Sequence, residues 1–178
     1  MALLHTSDLS YQSANPFCPH LSNDMMATVN IERSFLQSTQ YEWCGVILSI
    51  NKETTSLGMP WEKEYGYAQA VKVGDTIYVS GQVAHDDNGK IVGKGEMEAQ
   101  MRQAYSNIHK VLAQYGATMD NIVDETLFVT DMDSAFAAAI KCRNEVFFGA
   151  PVVASTIVQI QHLAFPDLMI EIKCVAKI

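Results

Sequence analysis

The chain has 178 residues, of which 48% are hydrophobic and 18% charged, so it suits a single globular domain with a core of ordinary size. The formal net charge is −8, and this acidic balance, without a cluster of Lys and Arg, argues against a nucleic-acid or anionic-membrane partner. The four cysteines and five histidines lack the spacings of metal sites, so we expect no metal and no disulfide framework. No Walker loop or G-x-G-x-x-G motif is present, so we expect no cofactor.

Residues 1–50 differ from the rest of the chain. They are rich in Ser, Asn, Thr and Gln and show no sustained hydrophobic period, which predicts an irregular N-terminal extension. The Met25-Met26 pair leaves open a later start. The first residues lack the basic and apolar regions of a signal peptide, and the apolar stretch 44–50 is too short to span a bilayer. We therefore expect a cytoplasmic protein.

Residues 51–178 carry the pattern of a folded α+β domain. Residues 51–65 contain Gly58 and Pro60 and are predicted to form a loop. The alternation of apolar and polar residues predicts strands, and apolar residues at spacings of three and four predict helices. In chain order the predicted elements are strands at 67–73 and 76–80, a helix at 96–115, a strand at 124–130, a helix at 133–148, and strands at 154–161 and 168–175.

The two predicted helices each have an apolar stripe. For the first, the stripe consists of Met97, Met101, Ala104, Ile108, Val111, Leu112 and Tyr115. For the second, it consists of Phe136, Ala139, Ile140, Arg143 and Phe147. Two helices cover only one face of a sheet, while the strands carry apolar residues on both faces. Self-association over the second face is therefore expected.

Several ordered motifs resemble one known family. They are Ser80-Gly81-Gln82, the stretch 98–104 with Asn107, the strand end 128–131, the segment 151–160, and the segment 163–171. Over roughly residues 60–176 the chain resembles the Rid family of reactive-intermediate deaminases. The resemblance implies a six-stranded mixed sheet with two helices packed on one face. It also implies a chorismate-mutase-like homotrimer whose substrate clefts lie between subunits.

Glu171 is the candidate catalytic residue. Ile170, Ile172 and Cys174 alternate with it in the last strand, so its carboxylate is expected on the opposite face, where it is suited to acid–base chemistry. Pairing with a Lys on a neighbouring strand is the alternative. The resemblance implies that this glutamate positions or activates a water that attacks an imine carbon.

Three more residues are implied to line the same cleft and bind a substrate: Tyr67, Ser80 and Gly81. Gly81 permits close approach of a ligand to the backbone, although a simple strand-end turn is the alternative. Tyr67 either presents its hydroxyl to the cleft or packs as a half-buried strand residue.

Two positions depart from the family pattern. The deaminating members have a carboxylate-clamping arginine where this chain has Ser155, and often an asparagine where it has Ile140. Ser155 shares a strand face with Ile157, and both are predicted to bind substrate. Loss of the arginine fork would remove about 2–5 kcal/mol of binding to a 2-imino acid, with Arg143 and His162 as the nearby candidate replacements.

The function predicted from these residues is hydrolytic deamination of a small reactive enamine, imine or related carbonyl metabolite, with altered specificity. The alternative is a non-catalytic trimer that binds a metabolite or a protein partner.

Overall fold

Six strands of one mixed sheet form the centre of the domain in this computed structural model, which describes residues 42–43, 46–47, 49–148 and 153–178. The strands are β3 (Glu53–Thr55), β4 (Ala70–Val73), β5 (Thr76–Val83), β6 (Ile122–Val129), β7 (Ala154–Gln159) and β8 (Ile170–Lys177). Their order across the sheet is β3-β4-β5-β8-β6-β7. All neighbours are antiparallel except β6 and β7. The predicted six-stranded mixed sheet is confirmed.

The described residues form three α-helices beside the sheet: α1 (Pro60–Tyr65), α2 (Met97–Ala113) and α3 (Met132–Val146). The two long helices match the two predicted ones. Helix α2 packs on β5 and β8, and α3 packs on α2, so both lie on the same face of the sheet. Within the described residues, no helix combines the length and apolar character that crossing a bilayer requires.

Before the domain, the structure describes one short pair of strands. In it, β1 (Glu42–Trp43) pairs antiparallel with β2 (Val46–Ile47). The rest of the predicted irregular extension lies outside the described residues.

The predicted loop at residues 51–65 is wrong, because it contains both β3 and α1. Strand β3 is short and polar, and its pairing with β4 includes a Lys72–Glu53 ion pair of 2.8 Å, so it has no hydrophobic period to detect. Helix α1 starts at Pro60, whose fixed φ suits the first helical turn, and ends at Gly66 in the left-handed conformation.

The core lies between the sheet and the two long helices. Ile170, Ile172 and Cys174 are buried there, as their alternation in β8 predicts. The predicted α2 stripe is also buried, apart from the partly exposed Tyr115. We call the sheet face opposite α2 and α3 the open face. It carries Val71, Tyr78, Phe128, Val158, Glu171 and Val175.

The predicted stripe of α3 is right at Ala139 and Phe147, which are buried, and wrong at Phe136 and Ile140. The buried residues within the helix are Ala135, Ala138, Ala139 and Cys142. Phe136 and Ile140, by contrast, are 58% and 66% exposed. Because the separation of packed helices depends on the side chains between them, the small residues let α3 lie close to α2, and the larger side chains face outward.

An ion pair joins β6 to α3. The Glu125 carboxylate is fully buried on the helix-facing side of β6, and Arg143 Nε lies 3.1 Å from its Oε1. The Tyr105 hydroxyl donates a hydrogen bond of 3.0 Å to the other carboxylate oxygen. Burial and the nearby Glu125 charge raise the pKa of Tyr105, so its hydroxyl stays a donor. Arg143 is therefore a structural partner of Glu125.

Replacing Arg143 with Met should leave the Glu125 charge buried without its cation. We expect the free energy of unfolding to fall by about 3–5 kcal/mol, measured by urea denaturation. Arg102→Met is the matched control, because Arg102 bridges Glu98 and Glu145 on the exposed surface. It should cost about 1 kcal/mol or less. Equal losses for the two variants would contradict the structural role of Arg143.

Candidate functional site

A β-bulge in β5 shapes the candidate site. Val79 pairs with Cys174 and Gln82 pairs with Ile172, so Ser80 and Gly81 together face one residue of β8. Bulges of this kind bend a strand and re-aim its side chains, and they are frequent beside active sites. Here the bulge is fixed by Ser80, whose amide donates to the Gln69 carbonyl and whose hydroxyl donates to the Ala68 carbonyl at 2.7 Å.

The carboxylate of Glu171 lies directly over Gly81. A β-carbon at position 81 would stand 2.5 Å from Glu171 Cδ and closer still to Oε1. The φ angle of Gly81 is not in the left-handed region, so glycine is needed here for the close approach and not for the backbone conformation. The bulge glycine thus makes the room in which the carboxylate sits.

Glu171 is partly buried and has no hydrogen-bond or ion-pair partner in residues 49–148 and 153–178. Burial raises the pKa of its carboxyl group above the ordinary 4.5. A carboxyl group that keeps free lone pairs and holds its proton more tightly than usual is suited to exchange protons with a ligand. The alternative of a Glu–Lys pair on the sheet surface is not observed in these residues.

The Glu171 side chain lines a cavity of about 510 Å³ beside the bulge. The cavity is lined by Trp61, Tyr65, Tyr67, Gln69, Ser80, Gly81, Val83, His85, Gly89, Ile91, Ala164, Phe165, Leu168 and Glu171. Four of the six predicted site residues, namely Tyr67, Ser80, Gly81 and Glu171, therefore meet at one cavity. Among the described residues, no cluster of three potential metal ligands occurs.

Ser155 and Ile157 do not line this cavity. In β7 they pair with Glu125 and Leu127 of β6, and they therefore lie on the helix-facing side of the sheet. Ile157 packs against the hydrophobic core, and the Ser155 hydroxyl is buried without a hydrogen-bond partner in the described residues. Their predicted contact with substrate is not made within this cavity by the same chain.

Neither candidate replacement for the arginine reaches the cavity. Arg143 is engaged with Glu125 on the helix-facing side, and His162 is exposed in the loop before β8. Neither residue is in the cavity lining.

A chain of buried polar side chains supports the cavity wall. Gln69 Nε2 donates to Glu62 Oε1 at 2.8 Å, and Gln82 Nε2 donates to Gln69 Oε1 at 2.6 Å. Burial acts to raise the pKa of Glu62, but hydrogen bonds from Ser56, Gln69 and the Leu57 amide outweigh it and lower the pKa. Glu62 is therefore a saturated, ionised structural carboxylate, in contrast to Glu171.

Tyr67 is close enough to both carboxylates for their charges to act on its hydroxyl. Its hydroxyl lies 3.5 Å from Gln69 Nε2, and burial, followed by the charges of Glu62 and Glu171, raises its pKa. The phenol therefore stays protonated and can donate a hydrogen bond into the cavity.

Sequence reasoning missed Trp61 and His85. Their rings meet edge to face, with centroids 5.4 Å apart and an interplanar angle of 80°. His85 Nδ1 lies 3.0 Å from the Asp86 carbonyl oxygen and donates to it, because a carbonyl only accepts. Trp61 and Tyr65 occupy positions i and i+4 of α1. The helix signals at Pro60 and Gly66 could therefore have predicted that Trp61 and Tyr65 are neighbours on one helix face. No local signal marks His85.

Comparison with known proteins identifies the family. A sequence family described as Endoribonuclease L-PSP matches residues 61–178. The chain belongs to this family. The RutC family protein YjgH of Escherichia coli (strain K12) is 36% identical over 115 residues, covering 65% of this chain and 85% of that protein.

Two further relatives complete the comparison. A protein of Dermatophagoides farinae named 2-iminobutanoate/2-iminopropanoate deaminase is 31% identical over 97 residues, covering 54% of this chain and 74% of that protein. The crystal structure of YyfA from Yersinia pestis, titled a protein of unknown function of the conserved Rid family, is similar with a TM-score of 0.62. It is 27% identical, and the match covers 72% of this chain and 100% of that chain. The resemblance to the Rid family is confirmed.

Replacing Gly81 with Ala should displace the Glu171 carboxylate, because the new methyl group needs the space that the carboxylate occupies. Since the backbone at Gly81 suits alanine, we expect retained folding, together with a roughly 10- to 100-fold loss of any Glu171-dependent activity. Activity and thermal unfolding would be compared with Thr76→Ala, a control at the far end of β5. Unchanged activity in Gly81→Ala would show that the carboxylate position does not matter.

Proposed function

We propose that this protein hydrolyses a small reactive enamine, imine or related carbonyl metabolite, with release of ammonia from imines. The observation that carries the proposal is the unpaired carboxylate of Glu171, held over Gly81 at the wall of a cavity. The family match and the printed name of the Dermatophagoides relative support the same chemistry.

The reaction needs a base for water and an acid for nitrogen. The substrate reacts as the protonated imine. Glu171 takes a proton from water as the water oxygen bonds to the imine carbon and the C=N electron pair moves to nitrogen, which gives a neutral carbinolamine. The carboxylic acid then returns that proton to the nitrogen. The carbon–nitrogen bond breaks with its electron pair leaving on ammonia, and the hydroxyl proton passes to the Glu171 carboxylate as the C=O bond forms, from which ammonia takes it up as ammonium. The products are a carbonyl compound and ammonium, so atoms and charge balance without an oxidant or reductant. The raised pKa of Glu171 suits these proton transfers.

Tyr67 and the bulge position the substrate in this proposal. The protonated Tyr67 hydroxyl can donate to the carbinolamine oxygen as it forms. Gly81 keeps the space in which the Glu171 carboxylate sits. Ser80, whose hydroxyl already bonds the Ala68 carbonyl, acts by holding the bulge in place.

In this proposal the substrate lacks the carboxylate of a 2-imino acid. The resemblance implies that Ser155 replaces the carboxylate-clamping arginine, and the cavity lining contains no Lys or Arg within the described chain. A carboxylate-bearing ligand would meet Glu171 without a compensating cation.

We also propose a homotrimer in the cytoplasm. The open face supports the assembly, because Tyr78 and Val158 are 50% and 38% exposed on it and no helix of the described residues covers them.

The test is the Glu171→Gln variant, which keeps the shape of the side chain and removes its basicity. We expect hydrolysis to fall about 10²- to 10⁴-fold. Imines would be generated in situ by an amine oxidase or an amino-acid oxidase, and the imine remaining would be trapped with semicarbazide, so that enzymatic hydrolysis lowers semicarbazone formation. Glu53→Gln, an exposed carboxylate of β3, is the control and should be unchanged.

Equal rates for Glu171→Gln and wild type would contradict the proposal. An absence of hydrolysis by wild type, combined with ligand-induced thermal stabilisation, would favour the alternative of a non-catalytic binding protein.

A further inference from the structure

The cavity lining combines one carboxylate with mostly apolar and aromatic side chains. Its charged group is one carboxylate, Glu171, and the described chain contributes no Lys or Arg to it. Most of the other lining side chains are apolar or aromatic. A ligand that brings positive charge to Glu171 is stabilised there, whereas an anionic ligand is repelled.

Four aromatic side chains surround the entrance and wall of the cavity: Trp61, Tyr65, Tyr67 and Phe165. Aromatic rings bury apolar groups well, and their faces attract cations. Tyr65 and Phe165 are largely exposed in the described chain, so their rings are available to a ligand. Apolar binding and cation binding therefore coincide at the same place.

Two contacts hold the ring of Trp61 in place. His85 packs against it edge to face, and the His85 ring is itself held by its hydrogen bond to the Asp86 carbonyl. Gly89 completes the fit, since a β-carbon there would stand 2.7 Å from two atoms of the Trp61 ring. The indole wall is thus formed before any ligand arrives, which lowers the entropic cost of binding.

We infer that the cavity selects imines derived from apolar or aromatic primary amines, bound as the protonated iminium, and that Trp61 is a specificity-determining residue. This inference rests on the proposed function and names its substrate class. The iminium nitrogen lies beside Glu171, and the aryl or alkyl group lies against the indole. Hydrolysis converts R–CH=NH₂⁺ and water into R–CHO and NH₄⁺.

Binding tests the charge preference without turnover. Benzylamine, benzyl alcohol and benzoate share an aryl group and carry positive, zero and negative charge. By calorimetry on the full chain at pH 7.5, we expect benzylamine to bind at least roughly tenfold more tightly than benzoate. Benzoate binding as tightly as benzylamine would overturn the inference.

Two Trp61 variants test the role of the indole. Trp61→Ala and the bulkier Trp61→Leu should each weaken benzylamine binding by roughly tenfold, because the aryl group loses the indole surface against which it packs. Phe136→Ala is the control, since Phe136 is an exposed aromatic residue of α3 outside the cavity lining, and its binding should match wild type. Trp61 variants that fold and bind benzylamine as wild type does would refute this role.

Turnover separates this inference from the proposed function. Wild type should hydrolyse the benzylamine-derived imine faster than 2-iminobutanoate, and Trp61→Leu should raise KM for the aryl imine more than it lowers kcat. A preference for 2-iminobutanoate would refute the inference and the exclusion of 2-imino acids, and would leave intact the proposal that Glu171 hydrolyses imines. Tight benzylamine binding without hydrolysis of either imine would support the charge and aromatic selectivity and refute the deaminase proposal.

Discussion

The close approach of the Glu171 carboxylate to the Gly81 backbone is the constraint on which the candidate site depends. It exists because two residues of β5 oppose one residue of β8, and because the second of the two has no side chain. The bulge costs ladder hydrogen bonds, and the Ser80 contacts with Ala68 and Gln69 compensate for part of that loss. The regular pairing of β5 with β8 is thus interrupted at the point where Glu171 faces the cavity.

The carboxylates buried on the two faces of the sheet differ in whether they have partners. On the helix-facing side, Glu125 is fully buried and receives Arg143 and the Tyr105 hydroxyl as partners. On the open face, Glu171 is partly buried and has no partner in the described residues. A charge that serves stability is normally paired, whereas an unpaired one is costly and is more typical of a functional group. Arg143, engaged with Glu125 on the helix-facing side, does not line the cavity.

Alternation in the last strand was enough to predict the side on which Glu171 lies, and the family motifs placed Tyr67, Ser80 and Gly81 beside it. The α3 stripe could not be predicted correctly, because small alanines and a cysteine pack inside while the more hydrophobic Phe136 and Ile140 remain outside. The role of Arg143 could not be predicted either, because Glu125, which it neutralises, is distant in sequence. The Trp61–His85 wall depends on long-range packing between α1 and the segment after β5.

The most direct test of the central claim is a titration of the Glu171 carboxyl carbon by ¹³C NMR, assigned by comparison with Glu171→Gln. Burial without a partner predicts a pKa above the ordinary 4.5, with the folded state losing stability as pH rises through that value, because the charged form is disfavoured by folding. A pKa at or below 4.5 would mean that a donor or cation satisfies the carboxylate, and this would contradict its assignment as the free acid–base group of the cavity.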